Sequence, residues 1–219
     1  MIKRPEICAV IIDDDLKAVK EVEPLVDLFE VRIDLIGAGW RELVGRLEKP
    51  WIACNRSAGE GGSRRGSELK RIEELLSAIE LGASIVDIEL ASGSLKEIVP
   101  LIKKQAKCLI SLHDLEATPP LDRMREIVKR EIEAGADICK LVTTARKFED
   151  NLAVLQLISD FPGARVVSFA MGSSGIASRF LCPMVGGDFT YASIETGKES
   201  ASGQITVENL RKIYEMVVP

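Results

Sequence analysis

The sequence predicts an α/β fold, a (β/α)8 TIM barrel formed as a single domain by residues 1–219. Three observations carry that expectation. Eight short apolar runs alternate regularly with segments of helical periodicity, and strictly alternating units of this kind make parallel strands. No linker and no shift in composition divides the chain. Charged residues recur at every second position inside several strands. A barrel lumen that opens into a polar mouth accommodates them, whereas an open doubly wound sheet carries helices over both faces.

Ile7–Ile12 reads as the first strand, and Asp13-Asp14-Asp15 offers an N-cap to a helix carrying Leu16, Val19 and Val22. Leu28–Asp34 is the second strand, with Glu30, Arg32 and Asp34 on one face by the two-residue period. Trp40, Leu43, Val44 and Leu47 mark the next helix. Trp51–Cys54, the third strand, runs into the glycine-rich stretch Asn55–Gly62. In the third helix, about Ser67–Leu81, Leu69, Ile72, Leu75, Leu76 and Ile79 fall at helical spacing. Ser84–Glu89 is the fourth strand, with Asp87 and Glu89 on one face, and a helix near Leu95–Lys104 follows. The fifth strand, Cys108–His113, ends on the chain's single histidine. Thr118-Pro119-Pro120 opens the helix Leu121–Ala134 and Gly135 closes it. Ala136–Val142 is the sixth strand, with Lys140 in its middle, and a helix over Phe148–Ser159 follows. Arg165–Phe169 is the seventh strand, followed by Met171-Gly172-Ser173-Ser174-Gly175 and a short helix ending near Phe180. Phe189–Ala192 is the eighth, and Thr206–Val217 the last helix.

Apolar residues make up 46% of the chain and aromatics 5%, so the core is aliphatic. The net charge of −5 gives no reason to expect nucleic acid or an anionic membrane as partner. No apolar run reaches the length of a bilayer span, and Met1–Glu6 lacks the apolar segment of a secretory signal. Cys8, Cys54, Cys108, Cys139 and Cys182 form no Cys-x-x-Cys pair, and four of them fall in strands. They read as reduced, buried thiols of a cytoplasmic protein.

A lysine inside an apolar strand is costly without a partner or a role. Crowded by arginines and partly desolvated, Lys140 is expected as a neutral amine. Such an amine attacks a ketone to give an imine, and His113 at the end of the preceding strand is the acid–base group to match. Glu60, four residues beyond Arg56, is placed to orient that histidine. Arg32, Arg56 and Arg179 suit an anionic substrate, with ion pairs to Glu30, Asp34 and Asp87 as the structural alternative. The carboxylates lack the further histidines of a metal site, so no metal is expected. The 171–175 loop reads as a phosphate cradle or as an ordinary strand-to-helix turn.

In this order the motifs resemble the type I 3-dehydroquinate dehydratase family, the Schiff-base class of the shikimate pathway. The likeness runs through Glu30-Val31-Arg32-Ile33-Asp34, Arg56-Ser57-Ala58-Gly59-Glu60-Gly61-Gly62 and Asp87-Ile88-Glu89. It continues through Ser111-Leu112-His113-Asp114 with Thr118-Pro119, Ala136–Lys140, Met171-Gly172 with Ser178-Arg179, and Ser200-Ala201-Ser202-Gly203-Gln204. The resemblance implies that Lys140 forms the imine, that His113 is the general acid–base group and that Glu60 supports it. It implies that Arg179 clamps the substrate carboxylate. Glu30, Arg32, Arg56, Ser200 and Gln204 would contact the rest of the substrate and close the site, beside Phe169 and Met171. The implied reaction is syn loss of water from 3-dehydroquinate, with no metal or organic cofactor, by a cytoplasmic homodimer.

Two departures stand out. Ser202 replaces the family's usual proline in the lid, which predicts a more flexible segment. Phe169 stands where some members carry methionine. The start of the chain also leaves little room for an N-terminal hairpin under the barrel. Two other functions compete: a Schiff-base aldolase for a phosphorylated sugar, which leaves Arg179 and Gln204 without purpose, and a binding barrel without catalysis, which leaves the Lys140–His113 pairing unexplained.

Overall fold

The structure is a computed structural model that describes residues 4–63 and 66–217; the start of the chain at 1–3 lies outside them. Its strands are β1 (Ile7–Ile11), β2 (Leu28–Arg32), β3 (Trp51–Cys54), β4 (Ile85–Glu89) and β5 (Lys107–His113). They continue as β6 (Ile138–Thr144), β7 (Val166–Met171), β8 (Thr190–Ser193) and a two-residue β9 (Ile205–Thr206). Helices α1 (Leu16–Val22), α2 (Ile33–Ile36), α3 (Trp40–Val44), α4 (Glu68–Glu80) and α5 (Leu95–Ile102) fill the first connections. Helices α6 (Leu121–Glu133), α7 (Asp150–Asp160), α8 (Ile176–Leu181) and α9 (Val207–Val217) complete the set.

Every strand pair is parallel, in the order β7-β6-β5-β4-β3-β2-β1-β8-β9. The two ends of the curl meet, because the Asp188 N–H donates to the Val166 carbonyl at 2.9 Å and the Phe169 and Tyr191 rings stand 5.9 Å apart. The sheet is therefore a barrel of the predicted (β/α)8 type. The two-residue period splits its side chains into two cores. Val31, Ala53, Val86, Ile110 and Leu141 face the surrounding helices. Leu28, Ile52, Ile85, Leu109, Ile138, Val167 and Phe189 face inward and fill the lumen at the amino ends of the strands. The next inward positions are Glu30, Cys54, Asp87, Ser111 and Lys140, all buried. Polar chemistry thus begins one layer above an apolar floor.

The structure departs from the sequence expectation in four places. Asp34 is not in the second strand. The chain turns into α2 after Arg32, and the Asp34 carboxylate folds back to accept from the Arg32 guanidinium at 2.9 and 2.7 Å. In α4, Leu69 is exposed while Arg71 is buried, since the helix presents an arginine to a carboxylate at the barrel end. The sixth strand starts at Ile138, because Asp137 accepts from the Cys108 N–H and pairs with Lys103, both at 2.8 Å. The short β9 pairs with β8 just before α9.

Candidate active site

The carboxyl ends of the strands enclose a cavity of about 210 Å³. At roughly 30 Å³ per liquid water that is the space of about seven waters, right for a small molecule and too small for a polymer. Every residue to which the family resemblance gives a part in the reaction or in substrate contact lines it. Glu30 and Arg32 enter from β2, Arg56 and Glu60 from the loop after β3, His113 from the end of β5, and Lys140 from β6. Phe169 and Met171 come from β7, Arg179 from α8, and Ser200 and Gln204 from the segment after β8. The glycine-rich loop bends sharply to bring Glu60 in. A Cβ at Gly62 would collide with the Arg56 carbonyl, and Gly61 sits at φ +84°.

Lys140 is buried, with Nζ 2.9 Å from Asp87 Oδ2 and 3.4 Å from Glu30 Oε2. The expected neutral amine is not what these contacts give. Burial pulls the ammonium pKa down, but Asp87 and Glu30 outweigh it and hold the pKa above its ordinary value. The arginines do not crowd the lysine as expected because Arg56 is already compensated, by Asp87 at 2.6 Å and Glu89 at 3.1 Å. Asp87 also accepts from Ser111 Oγ at 2.6 Å. Burial works against its charge, yet Arg56 and Lys140 hold it well below the usual carboxylate range.

His113 is held the other way. Burial, together with the Arg56 and Lys140 charges, keeps its imidazole well below the ordinary value, so it is neutral. Glu60 Oε2 stands 2.8 Å from His113 Nδ1 and also accepts from the His113 backbone N–H at 2.9 Å. An oxygen already accepting one N–H takes a second donor, so we assign the proton to Nδ1 and the free lone pair to Nε2. Burial pushes Glu60 itself up to about 7, against the Arg56 charge.

The three arginines separate cleanly. Arg32 is matched by Asp34 and Arg56 by Asp87 and Glu89, the structural alternative in both cases. Among the described residues no carboxylate pairs with Arg179, which is 1% exposed. Its Nη2 donates to the Ser202 carbonyl at 3.1 Å, its Nε is unpartnered, and its guanidinium lies 4.7 Å from the centre of the Phe169 ring. Burial lowers it to about 10, so it remains a cation at neutral pH. A buried cation without a counter-charge at a cavity wall attracts an anion.

The 171–175 loop is not an open phosphate cradle. Its Gly172 N–H donates to the Ser202 carbonyl at 3.1 Å, and its Gly175 N–H to the Gly172 carbonyl at 3.0 Å. The 200–204 segment packs against this loop through the same contacts. Gly203, at φ +77°, packs so closely on Gly172 that a Cβ would stand 2.5 Å from its carbonyl oxygen. Gln204 Oε1 accepts from the Ser200 N–H at 2.8 Å, which leaves the Gln204 amide NH₂ for the cavity. Lys198 pairs with Asp13 at 2.7 Å and ties the segment to the loop after β1.

Glu30, Cys54 and Asp87 bring possible metal-ligand atoms within 4.8 Å of one another. The donor set does not suit an ion. Lys140 and Arg56 already supply positive charge to these carboxylates, and burial holds the Cys54 thiol well above its usual value, against the thiolate a metal needs. Reading the sequence missed Tyr191, whose ring lies 4.2 Å below the Lys140 ammonium. The signal was present, since Tyr191 is two residues beyond Phe189 and shares its inward face.

A mouth of this make belongs to the class of barrel enzymes that act on small anionic molecules at the carboxyl ends of their strands. Residues 7–218 match the family described as type I 3-dehydroquinase. A 3-dehydroquinate dehydratase of Dehalococcoides mccartyi is 41% identical over 216 residues, 98% of this chain and 97% of the relative. That of Methanosarcina mazei is 36% identical over 232 residues, 98% of this chain and 96% of the relative. Among solved structures, a type I 3-dehydroquinate dehydratase from Clostridium difficile with covalently modified comenic acid superposes with a TM-score of 0.87. It is 25% identical and covers 98% of this chain and 92% of that one. The chain belongs to the type I 3-dehydroquinase family. It is a carbon–oxygen lyase of the shikimate pathway that removes water from 3-dehydroquinate.

Proposed function

We propose that the elimination runs through an imine on Lys140, with His113 as the acid–base group and syn loss of water. One observation carries this: the buried Lys140 Nζ sits between two carboxylates, Asp87 and Glu30, in the cavity that His113 also lines. The minor neutral amine attacks the substrate ketone, and the carbinolamine loses the ketone oxygen as water. The resulting imine needs a proton to act as an electron sink, and Asp87 and Glu30 stabilise that cation as they stabilise the ammonium. Neutral His113 takes a proton from the adjacent carbon through Nε2. The enamine then expels the hydroxyl of the next carbon, to which His113 returns the proton, and water leaves. Hydrolysis of the conjugated imine releases 3-dehydroshikimate and regenerates the amine. Arg179 binds the substrate carboxylate, and Gln204, Ser200, Glu30, Arg32 and Arg56 meet its other polar atoms. Phe169 and Met171 form the apolar wall. Neither a metal nor an organic cofactor is required, and the five buried free thiols suit the reducing cytoplasm. The family resemblance further supports a homodimer.

Oxygen labelling tests the imine. Each imine formed and hydrolysed replaces the ketone oxygen with one from solvent. Dehydration in ¹⁸O-water should therefore give product whose ketone carries the label from the first turnover. Product that retains the original ketone oxygen would exclude the imine.

The His113–Glu60 pair sets an acid limb. Glu60, raised to about 7, gains a proton as pH falls through that value and stops accepting from Nδ1. Because attack also needs the minor neutral amine of Lys140, kcat/KM should rise by up to about tenfold per pH unit above 7 and fall more steeply below it, with a break near pH 7. Glu60→Gln removes the titrating group and should abolish that break while lowering kcat/KM throughout. A break that persists at the same pH in Glu60→Gln would assign it to another group.

A further inference from the structure

Glu89 ends β4 as a buried carboxylate shared between two arginines. Its Oε2 accepts from Arg71 Nη1 at 2.6 Å. Its Oε1 accepts from Arg56 Nη1 at 3.1 Å and from the Ser57 N–H at 2.9 Å. Arg71 comes from α4, outside the barrel, and is 4% exposed. Glu68 fixes it through two bonds of 2.8 and 2.7 Å, and Arg71 Nη1 also donates to the Asn55 carbonyl at 3.1 Å. Beyond Glu89 the alternation of charge continues inward. Arg56 Nη2 is 2.6 Å from Asp87 Oδ2, and that same oxygen holds Lys140 Nζ at 2.9 Å.

The bond lengths alternate with the charges. The tight contacts are Arg71–Glu89 and Arg56–Asp87, and the long one is Arg56–Glu89. Arg56 therefore commits itself to Asp87 because Arg71 satisfies Glu89. We propose that Arg71 is a positioning residue for the Lys140 amine: by holding Glu89 it keeps Arg56 on Asp87 and limits how firmly Asp87 grips the Lys140 ammonium. Without Arg71, Glu89 draws Arg56 towards itself. Asp87 Oδ2 then turns to Lys140 alone, and the amine is harder to free. The other groups around Lys140 are Cys8 from β1, Glu30 from β2, Cys54 from β3, His113 from β5 and Tyr191 from β8. Arg71 contacts none of them, so its influence runs through Glu89 and Arg56. This inference rests on Lys140 being the imine-forming amine.

The test is the rate of borohydride-trapped adduct formation with 3-dehydroquinate, followed against pH for the whole chain and its variants. Arg71→Met should move the curve about one unit to higher pH, so that trapping near neutrality slows on the order of tenfold, the worth of one unit of amine pKa. Arg71→Lys, which keeps the charge without the fork, should lie between the two. Should Arg71→Met fail to fold, Glu68→Gln loosens Arg71 from the surface side and should give a smaller shift in the same direction. A purely structural role predicts lower thermal stability with an unmoved pH curve, and that result would overturn the inference alone. Absence of any adduct in the unmodified protein would overturn the imine itself and this inference with it.

Discussion

Replacing Lys140 by alanine is expected to lower turnover by more than about 10⁴-fold, beyond the 10²–10⁴ typical of losing one general acid or base. The covalent route disappears with the amine, and among the described residues no other lysine lines the cavity. Lys103 and Lys198, for comparison, are engaged on the surface with Asp137 and Asp13. Folding should survive the change. Asp87 keeps Arg56 and Ser111 as partners, so its charge is not left bare in the barrel. Lys140→Met, which keeps most of the volume, should be equally inactive and closer to the parent in thermal unfolding. Steady-state rates from the absorbance of the conjugated enone product, with melting curves beside them, check both statements. Activity within a hundredfold of the parent in either variant would mean that the lysine only binds.

The second large effect belongs to His113. His113→Ala should lose about 10²–10⁴ in kcat, the range for removal of a positioned acid–base group. The amine and its carboxylate partners are untouched by the substitution, so the imine should still form. It should then stall before proton removal, and the steady-state fraction of enzyme carrying substrate should rise. A variant that is slow but carries no accumulated adduct would place His113 in imine formation instead. A fully active variant would remove it from the reaction.

Much of the barrel was legible because alternation of strand and helix is a local pattern. Trp51–Cys54 was placed to the residue, and the other seven expected strands to within two positions at either end. The polar layer was legible for the same reason. Glu30, Asp87 and Lys140 fall on inward faces by the two-residue period, and only partnered charges survive there. What could not be read is whatever depends on register between strands. The charge on Lys140 is decided by Asp87 and Glu30, which stand 53 and 110 residues away in sequence. For Arg56 the sequence offered a substrate contact or a structural ion pair, and only the packed barrel shows that Asp87 and Glu89 hold its guanidinium while it also lines the cavity. Asp34 defeated the pattern because its side chain prefers Arg32 to the continuation of a strand. Arg71 was hidden for a similar reason, since helical periodicity favours the exposed Leu69 over an arginine whose partner lies at the end of β4. The glycine-rich loop after β3 was evident, but the carboxylate it delivers to His113 depends on the close approach of Gly62 to Arg56.

The central claim, that Lys140 carries the substrate covalently, is tested most directly by mass spectrometry after reduction. Borohydride added during turnover should inactivate the protein irreversibly. Peptide mapping should place the reduced substrate or product on Lys140 and on no other lysine. An adduct on a different lysine, or a protein that keeps its activity and its unmodified mass under the same conditions, would contradict the mechanism.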